Sequence, residues 1–175
     1  MQQGLTSRLS KLLLISVFLM AGGQLKAAES DVLGSAESAS YLAELKALYL
    51  TADEQKALLA HSNALLKTYE LRAEYQVGQP NPTNRHYQLA VGQPGELRIR
   101  EEQRDASGNI AVRNREFSVF GLDPFIQYQC PPKGMVCAFG SINGSEPWLI
   151  ILRDPKGAEE LAKALSFLFR NLQKG

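Results

Sequence analysis

The strongest constraint on the fold is a change in hydrophobic period near Tyr69. Before this residue apolar side chains recur at helical spacing, and after it they alternate with polar ones, as in strands with one buried face. Seven such strands are predicted over residues 69–153, separated by turns such as Gln93-Pro94-Gly95 and Asp105–Asn109. The chain is therefore predicted to be an α+β protein built around antiparallel strands.

Helices are predicted on both sides of the strand region. Two cover residues 40–68, and the second begins with the capping box Thr51-Ala52-Asp53-Glu54. A C-terminal helix covers residues 155–173, with Asp154 as its N-cap and Pro155 in the first helical position. Its apolar residues form one stripe, which we expect to pack on the sheets: Leu161, Ala162, Leu165, Leu168, Phe169 and Leu172.

Seven antiparallel strands followed by one amphipathic helix resemble the element order of pleckstrin-homology-like domains. The resemblance covers the order of elements over residues 69–172 and includes no sequence motif. It implies a seven-stranded antiparallel sandwich or open barrel, in which two sheets pack almost orthogonally and the helix closes one end. A single curved sheet with helices on one face is the alternative.

The N-terminus has the pattern of a cleavable secretory signal. Arg8 and Lys11 precede the apolar run Leu12–Ala21, and the small pair Ala27-Ala28 follows. The run has about ten residues, whereas a helix that spans a bilayer needs roughly 20. We therefore predict a signal peptide over residues 1–27, a flexible lead-in over 28–39 and a single globular domain over 40–175. The expected location is the bacterial periplasm, or the medium after secretion.

The charge balance argues against a nucleic-acid partner. The chain has 19 Lys and Arg side chains against 18 Asp and Glu. Removing the predicted signal takes away Arg8, Lys11 and Lys26, so 16 basic side chains remain and the net charge falls to about −2. Nucleic-acid binders usually carry a strongly basic face. After cleavage we expect no membrane-spanning segment, and because no cysteine lies near the cut we expect no lipoprotein anchor.

The two cysteines are predicted to form a disulfide. Cys130 and Cys137 flank Pro131-Pro132-Lys133-Gly134, which is turn chemistry between two β-prone runs. An even number of cysteines in an exported protein indicates a disulfide. A redox-active pair is the competing interpretation, but the spacing is not Cys-x-x-Cys at a helix start. Zinc would need His61 and His86 as further ligands, and we predict no metal and no cofactor.

No catalytic motif is present. The chain lacks a Gly-x-Ser-x-Gly elbow, a His-Glu-x-x-His pair, a P-loop and a dinucleotide fingerprint. Glu101 and Glu102 are neighbours in a strand and point to opposite faces, so they do not form a catalytic pair. Histidine 61 lies beside a helical apolar stripe, where a boundary role is expected. We predict a protein that is not an enzyme, with a small hydrolase as the third choice.

Arginines on one predicted hairpin form the candidate site for an anionic group. They are Arg98, Arg100, Arg113 and Arg115. A two-residue turn at Ser107-Gly108 would place Arg115 opposite Arg100, and like charges at such a position could clamp a phosphate, sulfate or carboxylate. The alternative is a solvated hairpin whose arginines pair with nearby glutamates. A change of inward parity before Phe117 also predicts a β-bulge near Asn114 or Arg115.

An apolar connection provides a second candidate surface. Phe120, Leu122 and Phe125 lie in one short loop, which has more apolar surface than a loop needs. This loop suits either a partner patch or the mouth of a cavity. Two functions follow from these surfaces. The first is an adaptor that binds another envelope protein, and the alternative is a carrier or sensor of a small amphiphile held between the sheet and the C-terminal helix.

Overall fold

The computed structural model describes residues 27–140 and 146–175, and it describes side chains from residue 36 onward. The predicted signal peptide, apart from its last residue, lies outside the described residues. Residues from Glu37 to Gly175 form one compact unit, and the contacts described below lie within it. In the described ranges, none of the helices combines the length and the apolar character that a membrane span requires.

The described chain contains three α-helices, one 3-10 turn and six strands. The helices are α1 (Ala27–Leu48), α2 (Glu54–Thr68) and α3 (Pro155–Leu172), and the 3-10 turn is Ala73–Tyr75. The strands are β1 (Asn84–Val91), β2 (Glu96–Arg104), β3 (Ile110–Ser118), β4 (Tyr128–Gln129), β5 (Val136–Phe139) and β6 (Leu149–Leu152). The α+β class is confirmed.

The strands form two separate antiparallel sheets. The first sheet has the order β1-β2-β3 and the second sheet has the order β4-β5-β6. The seven-stranded barrel with a pleckstrin-homology-like order is therefore wrong. The first predicted strand is missing: Leu71 makes an isolated bridge to Arg85, and the chain then enters the 3-10 turn.

The missing strand shows that alternation without burial does not make a strand. Tyr75 and Val77 are exposed, so their side chains gain little from an extended arrangement. Side chains bind the backbone of this segment instead, because the Asn84 side chain accepts a hydrogen bond from the Ala73 N–H and Gln76 bonds both backbone groups of Thr83. The segment before the turn still contributes at its start. The Tyr69 carbonyl accepts from Leu152 and the Leu71 carbonyl accepts from Arg85, so residues 69–71 lie between β6 and β1.

Both N-terminal helices begin at positions other than those predicted. α1 begins at Ala27, so residues 28–39 belong to a helix and not to an irregular lead-in. This segment is rich in Ala and Glu, which are strong helix formers, and contains no proline. α2 begins at Glu54 with Asp53 as its N-cap, because the Asp53 carboxylate accepts from the Lys56 N–H at 3.1 Å. Thr51 is not the cap. Its hydroxyl accepts from the Asp53 N–H, which stabilises the turn before the helix.

The C-terminal helix confirms its predicted caps and stripe. The Asp154 carboxylate accepts from the Gly157 N–H at 2.7 Å, and Pro155 occupies the first turn. α3 lies against α2 and the second sheet. Its predicted stripe is buried in one core cluster with residues from α2 and both sheets: Leu161, Ala162, Leu165, Leu168, Phe169 and Leu172.

The disulfide between Cys130 and Cys137 is confirmed. Tyr128 pairs with Phe139 and Gln129 with Ala138, so continuing the same register places Cys130 opposite Cys137. Between them the Gly134 N–H donates to the Pro131 carbonyl and closes the predicted turn. Cys137 is fully buried. The covalent bond therefore closes the hairpin of the second sheet at the edge of the core.

Candidate functional site

The register of β2 and β3 decides which arginines can act together. Arg113 lies opposite Glu101, Arg115 lies opposite Ile99, and Arg100 lies opposite Asn114. The predicted pairing of Arg100 with Arg115 is therefore wrong. The predicted β-bulge is also wrong, because the pairs run without interruption from one end of the hairpin to the other.

The turn explains the difference of one residue. Gly108 has a φ of 84°, and its N–H donates to the Asp105 carbonyl, while the Asp105 N–H donates to the Asn109 carbonyl. This is a three-residue loop that ends in a left-handed glycine, and it holds one residue more than a two-residue turn. The Asp105 carboxylate accepts from Ser107 and from two N–H groups of Asn109. These hydrogen bonds, chiefly those from Asn109, lower the pKa of Asp105.

Two of the candidate arginines lie on the outer face of the first sheet. Arg98 contacts Glu96 at 2.7 Å and Glu116 at 3.1 Å, and Arg100 contacts Glu102 at 3.1 Å. Both arginines are exposed to solvent. Surface pairs of this kind contribute only about 0–1 kcal/mol to stability. The outer face therefore agrees with the solvated hairpin that was the alternative for these residues.

The other two arginines lie on the inner face, beside residues that sequence analysis did not select. Glu101 lies next to Tyr87 on β1 and Arg113 on β3, while Arg85 and Arg115 flank the same position. We call the five residues Arg85, Tyr87, Glu101, Arg113 and Arg115 the arginine basin. Beyond Glu101 the same face of β2 continues into the apolar core through Ile99 and Leu97. The basin is thus the polar end of the core face.

Glu101 is a buried carboxylate with three partners. Its side chain is 7% exposed, and its two oxygens lie 3.0 Å from Nη2 of Arg115 and 3.4 Å from Nε of Arg85. The Tyr87 hydroxyl donates to it at 3.3 Å. Burial, and secondly the Glu101 charge, raise the pKa of Tyr87, so this hydroxyl stays protonated. A buried charge is tolerated only when it is paired and hydrogen-bonded, as it is here.

The basin has more donors than its own acceptors use. Nε of Arg85 and Nε of Arg115 are both buried without a hydrogen-bond partner. Nη2 of Arg115 also donates to the Trp148 carbonyl at 2.9 Å, which fixes the guanidinium between the two sheets. The five basin residues line a cavity of about 370 Å³ together with Gln103, Glu146, Pro147 and Ile150.

At the rim of this cavity the charges are loosely paired. Arg113 is 63% exposed and lies 3.9 Å from the exposed carboxylate of Glu146. Each guanidinium has five N–H donors in a fixed fork that matches two oxygens of a carboxylate or phosphate. With Arg115 held by Glu101 and Arg113 free to reorient, the basin can receive an anionic group without first being assembled.

The predicted apolar patch is divided between two places. Leu122 and Phe125 line one depression of about 250 Å³, together with Ile126, Trp148 and Phe169. The Phe120 ring lies against Gly95 in the turn between β1 and β2. Gly95 has a φ of 73°, and a side chain at this position would collide with the Phe120 ring. The Arg170 guanidinium covers the exposed Phe125 ring at 4.9 Å. Leu122 and Phe125 therefore share one depression, while Phe120 contacts the turn between β1 and β2.

A second polar cluster joins the three helices. Nδ1 of His61 on α2 shares a hydrogen bond of 3.2 Å with the Tyr49 hydroxyl. Nε2 of the same ring lies 3.2 Å from the Glu160 carboxylate on α3, but the angle between them does not suit a hydrogen bond. Burial lowers the pKa of His61, and Glu160 opposes this shift. Burial, followed by Glu160, raises the pKa of Tyr49. The protonated Tyr49 phenol beside the neutral His61 imidazole is a poor nucleophile. The polar contacts of this cluster therefore serve to hold the helices together.

Sequence analysis missed Arg85, Tyr87 and Glu101 as site residues, although a usable signal was present. In the sequence Tyr87, Leu89 and Val91 recur at every second position, as do Leu97 and Ile99, which is the pattern of one strand face. Continuing the alternation two residues before Tyr87 places Arg85 on that face. Continuing the alternation of Leu97 and Ile99 by two residues places Glu101 there as well. Applying the same alternation to charged residues would have placed Arg85 and Glu101 together on the buried face.

Comparisons with known proteins leave the site to be judged on its own geometry. The chain matches no family model, and no curated protein or solved structure matches it significantly. Among the described residues, no group of three or more His, Cys, Asp or Glu side chains is placed to hold a metal ion.

Proposed function

We propose that this chain is an exported, non-enzymatic adaptor of the bacterial periplasm that binds another envelope protein through an anionic group in the arginine basin. The supporting observation is that three guanidinium groups, those of Arg85, Arg113 and Arg115, line one cavity of about 370 Å³, and that the Arg113 side chain is 63% exposed. Two carboxylates, those of Glu101 and Glu146, line the same cavity, so positive charges outnumber negative charges there by one. The export pattern of the N-terminus supports the compartment.

The contacts of Glu101 give the basin its preorganisation. Arg115 is held by the Glu101 carboxylate and the Trp148 carbonyl, so its position is fixed before a ligand arrives. A bound carboxylate or phosphate would take its strongest contacts from Arg113 and from the free edges of the other two guanidinium groups. Glu146 is the competing internal anion, and its exposed, 3.9 Å contact with Arg113 costs little to break.

A matched pair of variants tests this proposal. The probe is an acetylated, amidated tetraglutamate peptide, titrated by calorimetry at low salt. Arg113→Gln removes an exposed basin charge and should weaken binding about tenfold, as expected for the loss of a charge-assisted hydrogen bond. Arg100→Gln removes the same charge from the outer face of the same sheet, so binding should change less than about twofold.

The opposite change at the rim gives an independent result. Glu146→Gln removes the competing carboxylate and should strengthen binding of the same peptide by a few fold. Equal losses in Arg113→Gln and Arg100→Gln would show that only the overall charge attracts the peptide. That result, or no binding by the unaltered protein, would contradict the proposal.

A carrier of a small amphiphile is the second candidate. It is favoured by the depression next to Trp148 and Phe169, where the end of α3 meets the second sheet. Its volume of about 250 Å³ is below the roughly 300 Å³ at the lower end of ligand pockets. Trp148 is the single tryptophan, so titration with lauric acid followed by tryptophan fluorescence tests this candidate directly. Saturable quenching that Phe125→Ala abolishes would favour it over the adaptor.

A further inference from the structure

We infer that the partner is bound as an extended strand that adds to the open edge of β3 and places acidic side chains in the arginine basin. This inference rests on the proposed function, because the same basin supplies the charge. It adds the shape of the partner: a segment in β conformation whose acidic residues fall at every second position.

The hydrogen-bond register shows which backbone groups face the open edge. Among the strands of the described residues, β3 is bonded to β2 alone. The Val119 N–H donates to the Gly95 carbonyl, and the Asp105 N–H donates to the Asn109 carbonyl. Because hydrogen-bonded pairs alternate along an antiparallel ladder, the odd-numbered residues of β3 are the ones whose backbone groups bond to β2. The N–H and C=O groups of the even-numbered residues point away from β2: Ile110, Val112, Asn114, Glu116 and Ser118. In the described part of the chain no backbone hydrogen bond crosses this edge.

Charged side chains are the one protection against strand pairing that the described part of β3 carries, those of Arg113, Arg115 and Glu116. Natural edges are also blunted by proline, by bulges or by short length. β3 has nine residues, continuous pairing with β2 and no proline. Ile110 and Val112 lie at this edge with 51% and 48% of their surfaces exposed. Such an edge is a template for an added strand, in which backbone hydrogen bonds supply affinity and alternate side chains supply specificity.

The two faces of β3 define the sequence of the added strand. On the inner face Arg113 and Arg115 would lie beside its side chains, which favours Glu or Asp at those positions. On the outer face Ile110 and Val112 would lie beside the intervening side chains, which favours apolar residues. The matching segment therefore alternates acidic and apolar residues, with its acidic side chains directed at the basin.

Charge argues against a second copy of this chain as the occupant. Full antiparallel overlap of two β3 strands is centred on Asn114, and it would set each Arg113 directly opposite the other copy's Arg115. Like charges directly opposite each other destabilise a sheet. The same arginines that repel a copy attract an acidic strand, so we commit to the acidic strand.

The first test changes the backbone of the probe and leaves the protein unaltered. The probe is an acetylated, amidated octapeptide that alternates glutamate and valine, with tetraglutamate as the reference. Two versions carry N-methyl groups, one on all glutamate amides and one on all valine amides. In an added strand only one of these sets faces β3. We therefore expect one version to bind at least tenfold more weakly and the other to bind within about threefold of the parent.

The second test changes the edge of the protein. Val112→Pro removes an N–H that faces away from β2, so the ladder within the first sheet is retained. Val112→Ala is the matched control, because it shortens the same side chain and keeps the N–H. We expect Val112→Pro to weaken octapeptide binding at least tenfold, Val112→Ala to weaken it less than threefold, and tetraglutamate binding to be unchanged in both. Thermal melting establishes that both variants fold, and if Val112→Pro does not, the N-methyl series decides alone.

The outcomes separate the two proposals. If both N-methyl versions bind as well as the parent, strand addition is overturned while anion binding in the basin stands. If neither peptide binds the unaltered protein, the proposed function fails as well. If analytical ultracentrifugation finds a dimer that Val112→Pro dissociates, the edge pairs with a second copy and the acidic strand is the wrong occupant.

Discussion

The two faces of the first sheet contain the same kinds of residue and use them differently. On the outer face the exposed arginines Arg98 and Arg100 pair with half-buried or exposed glutamates of the same or the adjacent strand. On the inner face Arg85 and Arg115 share one buried carboxylate, that of Glu101. Solvent and salt screen the ion pairs of the outer face, so each contributes little to stability. The ion pairs of the inner face involve a desolvated carboxylate, so removing either partner is costly. The function of an arginine in this hairpin therefore depends on its parity within the strand.

The largest expected effect comes from Glu101. Glu101→Gln removes a buried anion from the half-buried guanidinium groups of Arg85 and Arg115, and we expect the free energy of unfolding to fall by about 3–5 kcal/mol. Glu102→Gln on the outer face should cost less than about 1 kcal/mol, because its arginine partners are exposed. Urea denaturation of both variants gives the comparison. Equal losses would show that the two faces do not differ in the way described.

Arg115 should show the next largest effect. Arg115→Gln removes the donor to both Glu101 and the Trp148 carbonyl, while Glu101 keeps Arg85 and Tyr87. The expected loss is about 1.5–3 kcal/mol, the usual value for hydrogen bonds to charged groups. Arg100→Gln is the control with an expected loss below about 1 kcal/mol. A loss for Arg115→Gln as small as that of its control would mean that Arg115 contributes no more than a surface arginine.

The turn that fixes the register should show a smaller effect. Gly108 has a φ of 84° with open space around the position of a Cβ, so Gly108→Ala adds backbone strain without a collision. We expect a loss of about 1–2 kcal/mol. Gly108→Asn should recover part of it, since Asn tolerates left-handed conformations. Urea melts of the two variants check this, and identical stabilities for Ala, Asn and Gly would contradict the turn assignment.

Salt should have the smallest effect on stability, and this effect should differ between the outer and inner faces of the first sheet. Raising sodium chloride from about 0.1 to 1 M shortens the screening length from about 10 to 3 Å and weakens exposed ion pairs. The cost of Glu102→Gln should therefore shrink toward zero at 1 M salt, while that of Glu101→Gln should persist. Urea melts at both salt concentrations give this result. A cost of Glu101→Gln that disappears with salt would show that its carboxylate is solvated.

Sequence reasoning was reliable at α3 and at the cysteine hairpin, whereas the capping box at Thr51 misplaced the start of α2. Asp154 and Pro155 fixed the start of α3, and the even pair Cys130 and Cys137 across a turn fixed the disulfide. The alternation before Val77 failed because it lacked burial, which is not visible in a local pattern. The single sequence therefore predicted α3 and the disulfide hairpin well, because the cap residues of α3 and the paired cysteines agreed with the hydrophobic period.

The candidate site was predicted in part, because its register depended on one turn. Ser107-Gly108 fits a two-residue turn, and the Asp105 side chain selects the longer loop by bonding Ser107 and Asn109. That choice shifts the hairpin by one residue and separates Arg115 from Arg100. Arg113 and Arg115 lie together on β3. Their partner Arg85 lies on β1, and a contact across two strands requires the full sheet alignment.

Residues 69–71, which lie between β6 and β1, have a consequence for the order of folding. The first sheet is a meander whose strands follow one another, so it can form from local contacts early. The hydrogen bond from Leu152 to Tyr69 joins residues from opposite ends of the strand region and must await the last strand. Completion of the fold is thus delayed until nearly the whole chain is present.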